Sequence, residues 1–165
     1  MFRRLAVAAA IALSVTACHP KDQPKPPADT SANAAFLAKN AKEAGVVTLS
    51  DGLQYKIVTS GPADGEKPRA QDEVKVNYEG SLLSGDVFDS SFKRGEPYTT
   101  QLEGIIPGWI EVLQLMRPGD EWIVWIPPQL GYGDEGNAKI PANSVLKFRI
   151  QMLGVLKHDA PPARG

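Results

Sequence analysis

The chain is poor in the side chains that most enzymes use to make and break bonds. It has one cysteine, Cys18, and two histidines, His19 and His158. A single cysteine excludes an intramolecular disulfide and a cysteine-rich metal site. The histidines lie near opposite ends of the chain, so neither a histidine-based catalytic core nor a zinc site is expected. Ser90 and Ser91 have no histidine near them in sequence, which leaves a nucleophilic triad unsupported. No glycine-rich loop runs into a long helix, so the usual phosphate cradle is missing. No cofactor and no metal are expected. The net charge is −1, falling to −3 once Arg3 and Arg4 are removed with residues 1–17. No basic stripe is present, which argues against nucleic acid as a partner.

What the chain does have is punctuation: 15 Gly and 14 Pro among 165 residues imply many turns. Residues 1–17 read as an export signal, with Arg3 and Arg4 ahead of an unbroken apolar run from Leu5 to Leu13 and then small residues. The run is too short to span a membrane, which takes about 20 residues. Val15-Thr16-Ala17-Cys18 resembles a bacterial lipobox, in which the cysteine is lipidated and becomes the mature N-terminus. With two or more acyl chains Cys18 would be a stable membrane anchor. The alternative is ordinary secretory cleavage near an alanine. His19 stands after the cysteine where an Asp would retain the protein, resembling an outer-membrane address in enteric bacteria. Residues 18–30 hold four prolines and no large apolar side chain, and read as an extended tether. Residues 31–45 are expected to form a short helix. Ser31 is its cap, Gly45 its stop, and Phe36, Leu37, Ala41 and Ala44 its apolar stripe.

From residue 51 the hydrophobic period changes to two. Strands are expected over 53–59, 73–82, 87–91, 98–102, 121–126 and 145–156. Residues 92–97 read as a charged loop, and 127–143 as a long loop of a length that is often functional. One helix interrupts the strands. Pro107 suits its first position, and Trp109, Val112, Leu113 and Met116 then recur at helical spacing. Arg117-Pro118-Gly119-Asp120 ends it. Glu111, Asp120 and Glu121 read as a solvated helix face and turn. The tail, 158–165, is polar and expected to fray.

The remaining candidates are large apolar and aromatic residues in turns and short strands: Tyr78, Phe88, Tyr98, Ile105, Ile106, Trp109, Tyr132, Ile140 and Phe148. Asp89 adjoins one of them. On composition alone they are the core of a small β-rich domain. Their order and context say more. Val76-Asn77-Tyr78-Glu79-Gly80, Val87-Phe88-Asp89-Ser90-Ser91, Ile105-Ile106-Pro107-Gly108-Trp109, Leu130-Gly131-Tyr132-Gly133 and Ile140-Pro141-Ala142-Asn143 resemble, in sequence and order, an FKBP-type peptidyl-prolyl cis-trans isomerase. Phe36-Leu37-Ala38-Lys39 and Gly52-Leu53-Gln54-Tyr55 resemble the bacterial branch that includes the macrophage infectivity potentiators.

The resemblance implies an α+β fold, an antiparallel sheet wrapped around one short helix, over residues 51–157. It implies a pocket between sheet and helix with Trp109 as floor and Tyr78, Phe88, Tyr98, Ile106 and Phe148 as walls. Ile105 would present a backbone N–H at the rim, and Tyr132 a hydroxyl to the same carbonyls. Asp89 would sit at the edge, held by Tyr78 and by Arg94, and Ile140 would cover the top. Three departures stand out: Tyr98 where many members have Phe, Gly131 where Ala is common, and Lys139 at a rim position that is often apolar. The implied substrates are proline-containing exported polypeptides, and the implied inhibitors are FKBP-directed macrolides such as rapamycin. The long helix that dimerises the infectivity-potentiator branch is reduced to its last turns, so a monomer is expected. A proline-peptide binding module or holdase chaperone with little turnover is the other reading.

Overall fold

The computed structural model describes residues 25–158. The signal and lipidation readings, including Cys18, lie outside the described residues, as do residues 159–165.

The first element is α1 (Thr30–Asn40). Asp29, not Ser31, caps it, its carboxylate accepting from the N–H groups of Ser31 (2.9 Å) and Ala32 (3.2 Å). The helix stops five residues short of Gly45, and the residues between form turns. Only half of the expected apolar stripe faces the domain. Phe36 and Leu37 are only half-buried, and Ala41 and Ala44 are exposed. The buried side chains are Asn33 and Asn40, two helical turns apart and so on one face. Asn33 Nδ2 donates to the Asn143 carbonyl (2.6 Å), and Asn40 Nδ2 to Gln54 Oε1 (2.8 Å). Gln54 Nε2 donates back to the Leu37 carbonyl (2.9 Å). A polar ladder with its buried groups satisfied thus holds α1 to the domain.

The sheet begins earlier than residue 51, at a three-residue edge strand, β1 (Val46–Thr48), which turns at Asp51-Gly52 into β2 (Gln54–Thr59). There follow β3 (Glu73–Leu82), β4 (Val87–Ser90), α2 (Ser91–Arg94), β5 (Tyr98–Gln101), α3 (Pro107–Leu115), β6 (Glu121–Ile126) and β7 (Leu146–Leu156). α2 starts on Ser91, the last residue of the strand expected over 87–91, and runs into the charged loop expected over 92–97. The Ser90 hydroxyl accepts from the Lys93 N–H (3.3 Å) to start it, and Gly95, at φ 75°, ends it. Such a turn is too short to show a hydrophobic period.

All pairings are antiparallel, in the order β1-β2-β6-β7-β3-β4, with β5 also pairing β3. Alternation puts Val74, Val76 and Tyr78 of β3, Trp122, Val124 and Ile126 of β6, and Phe148, Ile150 and Met152 of β7 into the core. Trp109, Val112, Leu113 and Met116 of α3 meet them there. Gly108 allows that approach: a Cβ on it would lie 2.6 Å from Ile126 Cγ2. The fold is the expected sheet wrapped around one short helix.

Two carboxylates act as hubs. Asp120 does not sit on a solvated face. It is buried, accepting from the N–H groups of Gly61 (2.7 Å) and Arg117 (2.8 Å). Asp72 accepts from Arg69 N–H (2.7 Å), His158 N–H (3.0 Å) and Lys157 Nζ (3.3 Å), so the first residue of the tail is tied down. The hydrogen bond from Arg69 offsets the cost of its burial and holds Asp72 below the usual carboxylate range.

Candidate active site

Between α3 and the open edge of the sheet lies a cavity of about 470 Å³. Ten of the eleven residues singled out in the sequence line it: Tyr78, Phe88, Asp89, Tyr98, Ile105, Ile106, Trp109, Tyr132, Ile140 and Phe148. Trp109 lies at its base, 5% exposed. The surrounding rings meet the indole edge to face: Tyr78 at 5.1 Å and 90°, Phe148 at 5.3 Å and 79°, Tyr98 at 6.5 Å and 69°. Phe88 extends the wall, its ring 5.6 Å from that of Phe148. Aromatic rings favour this perpendicular arrangement because the positive edge of one meets the negative face of the next. Trp109 Nε1 is buried and has no acceptor.

Polar groups stand at the rim. Asp89 accepts from the Tyr78 hydroxyl and from Arg94, and Arg94 also donates to the Tyr78 oxygen (3.2 Å). Arg94 does not line the cavity; its guanidinium stands behind Asp89, 5.5 Å from the Tyr78 ring centre. Burial opposes ionisation of Asp89, but the Tyr78 hydroxyl and Arg94 outweigh it and hold the carboxyl below its usual range. Burial, aided by the bond to Asp89, pushes the Tyr78 phenol up to about 12. The Tyr132 hydroxyl and the N–H groups of Ile105 and Ile106 have no partner among the described residues, and so are available to a carbonyl entering the cavity.

The roof comes from the 127–143 loop, which opens with a 3-10 turn, Pro128–Leu130. Asn137 Oδ1 accepts from the N–H groups of Lys139 and Ile140, both at 2.9 Å, and Ile140 is 3% exposed beneath it. Asn137 and Gly104 also line the cavity and were missed in the sequence. Asn137 follows Gly136, and such a pair is a turn signal with a known mechanism. Gly104, at φ 85°, shows only as a turn residue.

Away from the cavity lining, Glu111 of α3 meets Asp51 of the β1–β2 turn. Burial, then the hydrogen bond with Asp51, raises Glu111 from its ordinary 4.5 to about 7. Asp51 is correspondingly lowered. Below about pH 7 the pair therefore shares one proton, on the Glu111 side, and Glu111 is not the solvated residue expected. An unfolded Glu ionises near 4.5, so the folded state binds the extra proton between there and about 7. That contribution to stability is complete below 4.5 and lost as pH rises through 7. Urea titrations across this window are expected to show falling stability, and Glu111→Gln to flatten the fall. An unchanged slope in the variant would show that another group carries it.

An antiparallel sheet half-wrapped around a helix, with an aromatic hollow between them, defines an FKBP-like domain. The chain belongs to the FKBP-type peptidyl-prolyl cis-trans isomerase family. The family model of that description matches residues 64–153, and the model for the domain amino terminal to it matches residues 8–57. Peptidyl-prolyl cis-trans isomerase Mip of Coxiella burnetii is 48% identical over 124 residues, covering 74% of this chain and 53% of that protein. Outer membrane protein MIP of Legionella longbeachae is 45% identical, covering 74% and 52%. The crystal structure of FkpA from Escherichia coli superposes with a TM-score of 0.73 at 44% identity, over 76% of this chain and 58% of that one. A peptidyl-prolyl cis-trans isomerase structure from Pseudomonas syringae gives 0.72 at 34% identity, over 78% and 93%. The chain spans about half the length of the curated relatives it matches.

Proposed function

We propose that this chain is a peptidyl-prolyl cis-trans isomerase acting on proline-containing exported polypeptides. The observation that carries the reading is the cavity floored by Trp109 and walled by Tyr78, Phe88, Tyr98 and Phe148, with unpaired donors at its rim. Rotation about a peptide bond is opposed by amide resonance, a barrier of about 18–20 kcal/mol. For X–Pro it takes tens to hundreds of seconds unaided. No bond is made or broken, so no nucleophile or proton shuttle is required. In the twisted transition state the resonance is lost and the carbonyl is less polar, and water favours the planar form over it. A dry aromatic hollow gripping the prolyl ring removes that water and so binds the twisted state better than the planar one. At about 1.36 kcal/mol per decade, a differential of roughly 5–6 kcal/mol supplies four decades. Ile105 and Ile106 N–H and the Tyr132 hydroxyl hold the flanking carbonyls. Ile140 closes the roof, and the Asp89–Tyr78–Arg94 triangle fixes the wall.

The lipobox reading places the mature N-terminus at an acylated Cys18, with 18–30 as tether, α1 as a docked spacer and 51–157 as the isomerase domain. The relative named as an outer membrane protein supports an envelope location; with the lipobox reading we assign the chain to the outer membrane, facing the periplasm. Among the described residues no helix is long and apolar enough to cross a membrane; the anchor in this reading is the lipid on Cys18. With α1 docked on its own domain, the chain works as a monomer.

Exchange spectroscopy of a proline peptide by NMR tests the activity. Cis–trans exchange is expected to accelerate with the enzyme, to stop on adding rapamycin, and to stay flat from about pH 6 to 8. Asp89 is held low and Tyr78 high, and no histidine lines the cavity. Binding without exchange would instead support the binding-module or holdase reading. A bell-shaped profile centred in that range would contradict the mechanism.

A further inference from the structure

A second cavity, of about 520 Å³, adjoins the first. Phe88 and Lys139 line both, so they form the ridge between them. The rest of the second cavity is made by the β3–β4 hairpin (Leu82, Asp86, Val87), by Ala138 and by Lys25. A peptide with its proline ring over Trp109 that runs on into the second cavity would cross Lys139.

The charges along this path are paired, with one exception. Asp89 is bound by Arg94 and Tyr78. Asp86 is bound by Lys25 Nζ (3.2 Å) and the Ser84 hydroxyl (3.0 Å). Lys139 has no carboxylate within ion-pair distance among the described residues; its Nζ reaches only the Phe88 carbonyl, at 3.5 Å. Asp134 and Glu135, the carboxylates of its own loop, line neither cavity. The backbone that carries Lys139 is fixed on both sides, since its own N–H and that of Ile140 are held by Asn137 and Ile140 is buried in the roof. The fold thus fixes the backbone from which an exposed, unpaired lysine extends at the point where the two cavities meet.

We propose that Lys139 makes this site prefer substrates with a carboxylate side chain within two residues of the proline. The inference rests on the isomerase reading above. A Glu or Asp crossing the ridge meets an uncompensated ammonium, whereas a Lys or Arg meets a like charge. The discrimination is the size of a solvent-exposed ion pair, about three- to five-fold, and is sensitive to salt.

The test is a set of proline peptides with Glu, Ala or Lys at each of the two positions before and after the proline, all compared by kcat/KM. The intact enzyme is expected to favour Glu over Lys about three- to five-fold at one or more of these positions. The preference is expected to vanish in Lys139→Gln, to invert in Lys139→Glu, and to shrink near 1 M salt, where the screening length is about 3 Å. Each comparison is a ratio within one variant, so a general loss of activity does not distort it. No preference in the wild type, or one that survives Lys139→Glu, overturns the proposal. Failure of even the Ala peptides to exchange would instead remove the isomerase reading, and this inference with it.

Discussion

Trp109→Ala is expected to lower kcat/KM for a proline peptide by about a hundredfold. The indole is the base of the cavity and the ring on which Tyr78, Tyr98 and Phe148 converge. Removing it withdraws the surface that excludes water beneath the prolyl ring. A buried large apolar side chain contributes roughly 1.5–3 kcal/mol, and at about 1.36 kcal/mol per decade the upper half of that range gives two decades. The same change empties a buried site and is expected to destabilise the fold by about 3–5 kcal/mol. Rates must therefore be compared where circular dichroism shows both proteins folded. Trp109→Phe separates the two effects. It keeps an aromatic floor and removes an indole N–H that has no acceptor, so a smaller loss is expected. Phe88→Ala should cost more than Asp89→Ala, because Phe88 is wall whereas Asp89 acts by holding Tyr78 and Arg94. Equal rates in wild type, Trp109→Ala, Phe88→Ala and Asp89→Ala, with folding intact, would mean that the chemistry lies elsewhere.

The aromatic set was legible because it depends on residue type and order, which a chain displays directly. The strands of β3 and β7 were legible because each buries one face and so alternates, and β6 because Trp122 to Ile126 is an unbroken apolar run. What escaped notice depends on partners distant in sequence. Asn33 docks α1 through a carbonyl 110 residues away, and no period in the helix shows it. Asp120 looks like a surface turn residue until Gly61 is brought beside it. Glu111 looks solvated until the β1–β2 turn delivers Asp51. β1 and α2 are too short to carry a pattern. The apolar stripe placed on α1 is used only in part: Phe36 and Leu37 are half-buried whereas Ala41 and Ala44 are exposed, because helical spacing shows that a face exists but not how much of it the domain covers.

The role of Gly80 appears only in three dimensions. Gly80→Ala is expected to lower kcat/KM by about ten- to a hundredfold, more than its effect on folding would suggest. In β3 this residue pairs with Asp89 of β4 on one side and Phe148 of β7 on the other. A Cβ there would lie 2.6 Å from Phe148 Cε1 and 2.6 Å from Phe88 Cε2 and Cζ. Its φ is outside the left-handed region, so the backbone itself tolerates Ala. Replacing Gly gains about 0.4–1 kcal/mol from the stiffer unfolded chain. Overpacking costs about 1–3 kcal/mol, and at 2.6 Å the clash wins. How it is relieved decides the functional outcome. Phe148 is 4% exposed and wedged against Trp109, whereas Phe88 is half-buried at the rim. Phe88 therefore yields, swinging out of the wall while the core stays packed. If so, Gly80→Ala and Phe88→Ala damage the same wall, and their losses in kcat/KM are strongly non-additive. The double variant should be little slower than Phe88→Ala alone, with stability measured in urea as the control. Fully additive losses would place the damage in the β3–β7 pairing and not in the wall.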